Sequence, residues 1–229
     1  MTVAPHTILV HGFLRTRHDM LLLRPRLQYL LPESRVHVFD YPSRKLTLPE
    51  IAERLADFVS MMSRGEAVSF VGHSLGGLVV RALDAMPHHP APLSRLVTLG
   101  TPHQGACVAG LMARVPVLGA YGGPILHDLR TPPLPPEPTA LQVGCLIGHT
   151  RTKFGYLPFF GRDNDGLVSF PSSKEPLISQ LTFCVAALLR IWSGTKESCH
   201  NYVIPARYGN VLAEEPAARL KHIDCRKPP

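Results

Sequence analysis

The sequence has no Cys-x-x-Cys pair. Its five cysteines, Cys107, Cys145, Cys184, Cys199 and Cys225, are odd in number and widely spaced. That spacing speaks against a zinc ribbon, a thioredoxin-like redox motif and a disulfide framework. Reduced thiols, and with them a cytoplasmic location, are the expectation. No block of consecutive basic residues occurs, although the net charge is +7 and the isoelectric point about 9.4. Arginines spread along the chain read as a solvated surface, so no nucleic-acid partner is expected, and attraction to anionic surfaces or substrates is the minor reading. No apolar run is long enough for an integral membrane segment, because Leu181–Leu189 stops at Arg190. Met1–His6 leads straight into an apparent strand rather than into a signal-peptide core.

What is present suits a soluble globular enzyme. The 229 residues are 45% hydrophobic and 18% charged, enough for one domain with an ample core. Thr7–Val10, Arg35–Asp40, Ala67–Val71, Arg95–Leu99 and Leu141–Ile147 read as strands. Helices are expected between them. The segment Met20–Leu31 has helical spacing, with a late start or a break at Pro25. Thr47-x-x-Glu50 is a capping box with Pro49 in the first turn, and Ile51, Leu55, Phe58, Val59 and Met62 then share one face. Gly65 is a plausible C-cap. Alternation of strand and helix implies right-handed crossovers and a mostly parallel sheet with helices on both faces. The stretch Cys107–Leu129 reads as short helices forming a small cap (107–130) or as a ragged crossover helix. Five prolines in Thr131–Pro138 make a stiff connector.

The most informative stretch is Gly72-His73-Ser74-Leu75-Gly76-Gly77. An apolar strand leads in and a helix-like run leads out. A strand turning sharply into a helix leaves the turn residue strained and exposed at the carboxyl edge of the sheet. Small residues are needed two positions either side of it, because strand and helix pass closely there. The helix N-terminus then aims unbonded N–H groups at the site. This arrangement presents a serine to a carbonyl carbon. An earlier strand ends in His11-Gly12-Phe13, where the Phe13 N–H is a candidate oxyanion donor and His11 orients the loop.

The second stretch is Gly161-Arg162-Asp163-Asn164-Asp165-Gly166. It lacks the glutamate of a twelve-residue calcium loop, so no metal is expected. Asp165 or Asp163 could supply the carboxylate that holds an imidazole in the right tautomer. Asp165 is preferred, because a small residue follows it and Leu167-Val168 turn back toward the core. Of the twelve histidines only His200 and His222 lie beyond this loop, where the order nucleophile, acid, base puts the base. His222 falls in an amphipathic terminal helix spanning Pro216–Asp224. His200 sits in a loop after the last core segment and is the preferred base.

These motifs together resemble α/β-hydrolases of the lipase/esterase type, especially small bacterial ones. Val10-His11-Gly12, Asp40-Tyr41-Pro42-Ser43, Gly72–Leu78, Thr98–Gly105 and Asn164–Ser169 follow that family's order. The resemblance implies the α/β-hydrolase fold and a serine hydrolase cleaving carboxylic esters, including those of lipids, through an acyl-enzyme. It implies Ser74 as nucleophile, Asp165 as acid and His200 as base, with an oxyanion hole from Phe13 and Leu75 and no cofactor. A thioesterase or amidase with the same triad, and a non-catalytic binding protein on the same fold, are the alternatives. The apolar stretch Leu177–Ser198 departs from the family pattern in length.

Overall fold

Residues 4–21, 23–103, 105–135, 140–149, 199–205 and 221–223 are described by the computed structural model. Seven strands form one sheet in the order β2-β1-β3-β4-β5-β6-β7. They are β1 (His6–Val10), β2 (Arg35–Phe39), β3 (Val68–His73), β4 (Leu93–Leu99), β5 (Gln142–His149), β6 (Cys199–Pro205) and β7 (Lys221–Ile223). All neighbouring pairs from β2 to β6 are parallel, and β7 alone runs antiparallel, against β6.

Side-chain alternation divides the core between the two faces of the sheet. Ile8, Val10, Phe70 and Leu96 point to one face, where α3 (Leu48–Ser63) and α4 (Leu75–Asp84) cover them. Leu9, Val71 and Val97 point to the other, under Met20, Leu23 and Leu27 of the α1 (Arg17–Leu21) and α2 (Arg24–Leu30) region. The near-continuous apolar runs of β1 and β3 follow from this, since both faces are buried.

Pro25 stands at the start of α2, so the expected break separates two helices. A proline costs little there, because the first-turn N–H has no intrahelical partner anyway. At the start of α3, Glu50 accepts from both the Thr47 N–H and the Thr47 hydroxyl, each at 2.7 Å. The Leu48 N–H donates to the buried Asp128 carboxylate at 2.7 Å. Arg64 ends α3 in a left-handed conformation, with Gly65 next.

After β4 come three short helices, α5 (Cys107–Arg114), α6 (Pro116–Gly122) and α7 (Ile125–Arg130). Ala109, Ile125, Leu126 and Leu129 join the α3/α4 core, which anchors them to the body of the fold. The chain then returns to β5 under two restraints from α4. Arg81 donates to the Pro135 carbonyl at 2.6 Å, and the buried Asp84 carboxylate accepts from the N–H groups of Ala140 and Leu141.

Two expectations near the C-terminus are corrected. His222 lies in strand β7, not in a terminal helix, and His200 lies in strand β6, not in a loop. Tyr202-Val203-Ile204 is a β-branched and aromatic run that favours a pleated, half-buried position. The longer apolar run Leu177–Trp192 before it lies outside the described residues.

The core makes a stability prediction. Leu55 is fully buried between α3 and the sheet, and Glu53 beside it is exposed. Leu55→Ala is expected to cost about 2–5 kcal/mol in urea unfolding, while Glu53→Ala stays within about 0.5 kcal/mol.

Candidate active site

Parallel pairing brings the loops after β1, β2, β3 and β4 to one edge of the sheet, where sites of such folds lie. Ser74 is the single residue between β3 and α4. Its backbone has φ 50° and ψ −119°, a conformation rarely adopted by a residue with a side chain. Three hydrogen bonds hold it there. The Ser74 N–H donates to the Leu99 carbonyl at 2.9 Å. The Ser74 carbonyl accepts from the Gly77 N–H at 3.1 Å and from the Thr101 hydroxyl at 2.9 Å. Gly76 is required by a close approach: a Cβ there would lie 2.7 Å from the His11 carbonyl oxygen.

Gly12 faces the serine from β1. A Cβ at Gly12 would lie 3.1 Å from the Ser74 Cβ and 2.9 Å from His73 Nδ1. Any larger residue would crowd the nucleophile. Phe13, one residue on, is half-buried at this edge, and Leu75 opens α4. Among the described residues, the N–H groups of Phe13 and Leu75 donate to no acceptor, and the Ser74 hydroxyl has no hydrogen-bond partner. Three polar groups with unfilled capacity thus converge on one edge.

The loop that carries Phe13 is braced by the segment after β2. The fully buried His11 stacks on Tyr41, with ring centroids 4.2 Å apart. His11 Nδ1–H donates to the Gly12 carbonyl at 3.0 Å, and the Tyr41 N–H donates to His11 Nε2 at 3.3 Å. Asp40 Oδ1 also lies 3.1 Å from His11 Nε2 and accepts from the Arg17 N–H. The Tyr41 hydroxyl donates to the His11 carbonyl at 2.7 Å, and Ser43 Oγ accepts from the Leu14 N–H at 3.1 Å. His11 therefore shapes the loop. Asp40, Tyr41, Ser43 and Thr101 were visible in the sequence as parts of motifs, but no spacing rule assigns them these bracing roles.

The expected triad is not assembled among the described residues. Asp163 and Asp165 lie outside them. His200 is the second residue of β6 and pairs with Gly144, which is level with Val97 and Val71 in turn. Its backbone is three strand spacings from β3, about 14 Å across the sheet, and three residues short of Ser74 along the strand direction. His222 is one strand further, opposite Tyr202. The register brings neither histidine to Ser74. No group of three His, Cys, Asp or Glu residues among those described is placed to hold a metal ion.

Residues 7–221 match the model of the alpha/beta hydrolase family. The chain belongs to this family. Among solved structures it is similar to the mature lipase BlEst2 of Bacillus licheniformis, with 22% identity over 65% of this chain and 67% of that one and a TM-score of 0.51. It is also similar to the NocB thioesterase domain captured with a fluorophosphonate nocardicin G analog, at 19% identity over 84% and 96% of the two chains and a TM-score of 0.53. A third likeness is to phospholipase PlaB of Legionella pneumophila, at 19% identity and a TM-score of 0.51 over 63% of this chain. That match spans only 39% of PlaB. At such identities these likenesses establish the α/β-hydrolase fold. No curated protein matches the chain significantly.

Two histidines of this hydrolase are pushed well down in pKa. Burial lowers His73 to about 4, helped by the Arg15 charge, and burial with Arg81 lowers His103 to about 4. Folding thus favours their neutral forms. As pH falls through 6.5 the unfolded chain takes up these protons first, so stability drops between pH 6.5 and about 4. Urea midpoints measured across this range are expected to fall with pH, and His103→Gln is expected to flatten the slope.

Proposed function

We propose that this α/β-hydrolase is a serine hydrolase that cleaves carboxylic esters through an acyl-enzyme on Ser74. The observation that carries the reading is the strained Ser74 turn, whose hydroxyl lacks a partner among the described residues and stands beside two N–H donors that find no acceptor among them. Strain of this kind costs about 1–3 kcal/mol and persists where the surroundings enforce it. Here it holds the hydroxyl out at the end of the strand, and the N-terminus of α4 lies directly behind.

In the proposed reaction Ser74 Oγ attacks the ester carbonyl while a histidine takes its proton. The N–H groups of Phe13 and Leu75 stabilise the tetrahedral oxyanion, a contribution of about 3–4 kcal/mol per donor in serine hydrolases. The alcohol departs with the histidine's proton, and water then releases the acid. Asp165 remains charged and steadies the imidazolium. The reaction needs no metal or organic cofactor. Uncharged esters of short to medium chain are the expected substrates, since each buried methylene adds about 0.8 kcal/mol.

Chain order supports Asp165 as acid and His200 as base. The β6 register sets a condition on His200: a role as base requires the first residues of β6 to leave their pairing with β5. Phe13 and Leu75 are independent of that condition, because both sit beside Ser74 on β1 and β3 connections.

Ser74→Ala is expected to abolish turnover of a short nitrophenyl ester and labelling by a fluorophosphonate probe, with circular dichroism unchanged. Retained turnover and labelling would put the nucleophile elsewhere. For the partners, Asp165→Asn and His200→Ala are each expected to lower turnover by about two orders of magnitude or more. Asp163→Asn and His222→Ala should cost less than about tenfold on that scale. A crippled Asp163→Asn would move the acid two residues upstream, and an active His200→Ala would remove His200 from the mechanism.

A further inference from the structure

The short helices after β4 carry an apolar surface that ester hydrolysis does not by itself require. Nine large hydrophobic residues are exposed among those described, and five of them, Leu111, Val115, Val117, Leu118 and Tyr121, belong to α5, α6 and the residue joining them. Val117 is 76% exposed and Tyr121 54%. The concentration matters because scattered exposed apolar residues are ordinary, whereas a cluster on one pair of elements marks a contact surface.

The exposed charges carried by residues 107–130 and by Arg44 have one sign. Between residues 107 and 130 the only acidic residue is Asp128, which is buried and accepts from the Leu48 N–H. The exposed charges are Arg114 and Arg130, and Arg130 lies along α5 beside Gly110. Arg44 completes the rim from the loop after β2. Its guanidinium sits 4.4 Å from the centre of the Tyr121 ring and donates to the Tyr121 carbonyl. The Arg44 carbonyl also backs onto Gly123, the residue that ends α6.

We propose that the α5–α6 face docks this enzyme on a membrane surface rich in anionic lipid. Val117 and Leu118 enter the headgroup boundary, Tyr121 sits at that boundary with an apolar body and a polar tip, and Arg44, Arg114 and Arg130 meet anionic headgroups. A bilayer is the occupant because an apolar patch whose exposed charges, among the described residues of 107–130 and at Arg44, are cations complements hydrocarbon lying beneath a negatively charged layer. Both segments that build the face follow carboxyl ends of strands, β4 and β2, as Ser74 does for β3. Docking therefore brings the Ser74 edge toward the lipid. This deepens the ester-hydrolase reading by naming membrane-presented esters as substrates, and only that consequence rests on it.

The test is co-sedimentation with vesicles of phosphatidylcholine, alone or with about 30% phosphatidylglycerol. Wild type and Ser74→Ala are expected to bind the mixed vesicles equally, and about tenfold more tightly than the neutral ones. About 0.5 M salt should remove most of that advantage. Arg114→Ala and Arg130→Ala should each weaken binding about fivefold, and Val117→Asp with Leu118→Asp about tenfold or more. Turnover of a soluble nitrophenyl ester should be unchanged in all four substitutions. Vesicle binding that is absent, indifferent to phosphatidylglycerol, or untouched by Val117→Asp with Leu118→Asp would overturn the proposal. So would a dimer in sedimentation velocity that those two substitutions dissociate, since the face would then belong to a second copy. Failure of soluble-ester turnover in the wild type with vesicle binding intact would sink the hydrolase reading and leave docking standing.

Discussion

The backbone of Ser74 is the constraint on which the rest of this structure turns. A positive φ in a residue with a Cβ is unfavourable by about 1–3 kcal/mol. It is retained because the neighbours leave no relaxed alternative. Leu99 of β4 captures the Ser74 N–H, and Gly77 and Thr101 capture its carbonyl. Each such bond contributes about 1 kcal/mol net, so three of them offset the strain. Relaxing Ser74 would also have to move α4, which packs against β1 so closely that Gly76 meets the His11 carbonyl.

From that point the requirements propagate outward. A fixed α4 needs both faces of the sheet filled, and the alternation of Ile8 with Leu9, Phe70 with Val71 and Leu96 with Val97 fills them. The loop after β1 must approach Ser74 without blocking it, which Gly12 allows. That loop would be mobile without the His11–Tyr41 stack and the Ser43 acceptor. The segment after β2, remote in sequence, therefore sets the position of the Phe13 N–H. Burial at this edge also keeps His73 and His103 neutral at ordinary pH, leaving positive charge there to arginine.

Legibility in the sequence followed locality. The capping box at Thr47 and Glu50, the break at Pro25 and the turn at Ser74 all depend on residues within a few positions of each other, and each was readable. The short helices of 107–130 were readable from their Pro and Gly punctuation. Strand β6 was not, because Tyr202-Val203-Ile204 is only a short apolar run beside a longer one, and periodicity cannot rank such runs. His222 was misread for a related reason: three residues of β7 take their form from pairing with β6, not from their own propensity.

By itself the sequence determined the order of strands and helices from β1 to β5, the strand–Ser74–helix turn and the family, because these rest on short-range sterics and on the spacing of apolar residues. Only the tertiary structure decided which groups stand beside Ser74. Thr101, Gly12 and the Tyr41–His11 pair reach that edge through parallel pairing of β1, β2, β3 and β4, and register is a property of pairs of strands. Tertiary structure likewise decided that Arg44 joins the apolar residues of 111–121, since these segments, remote in sequence, meet where Arg44 lies over Tyr121.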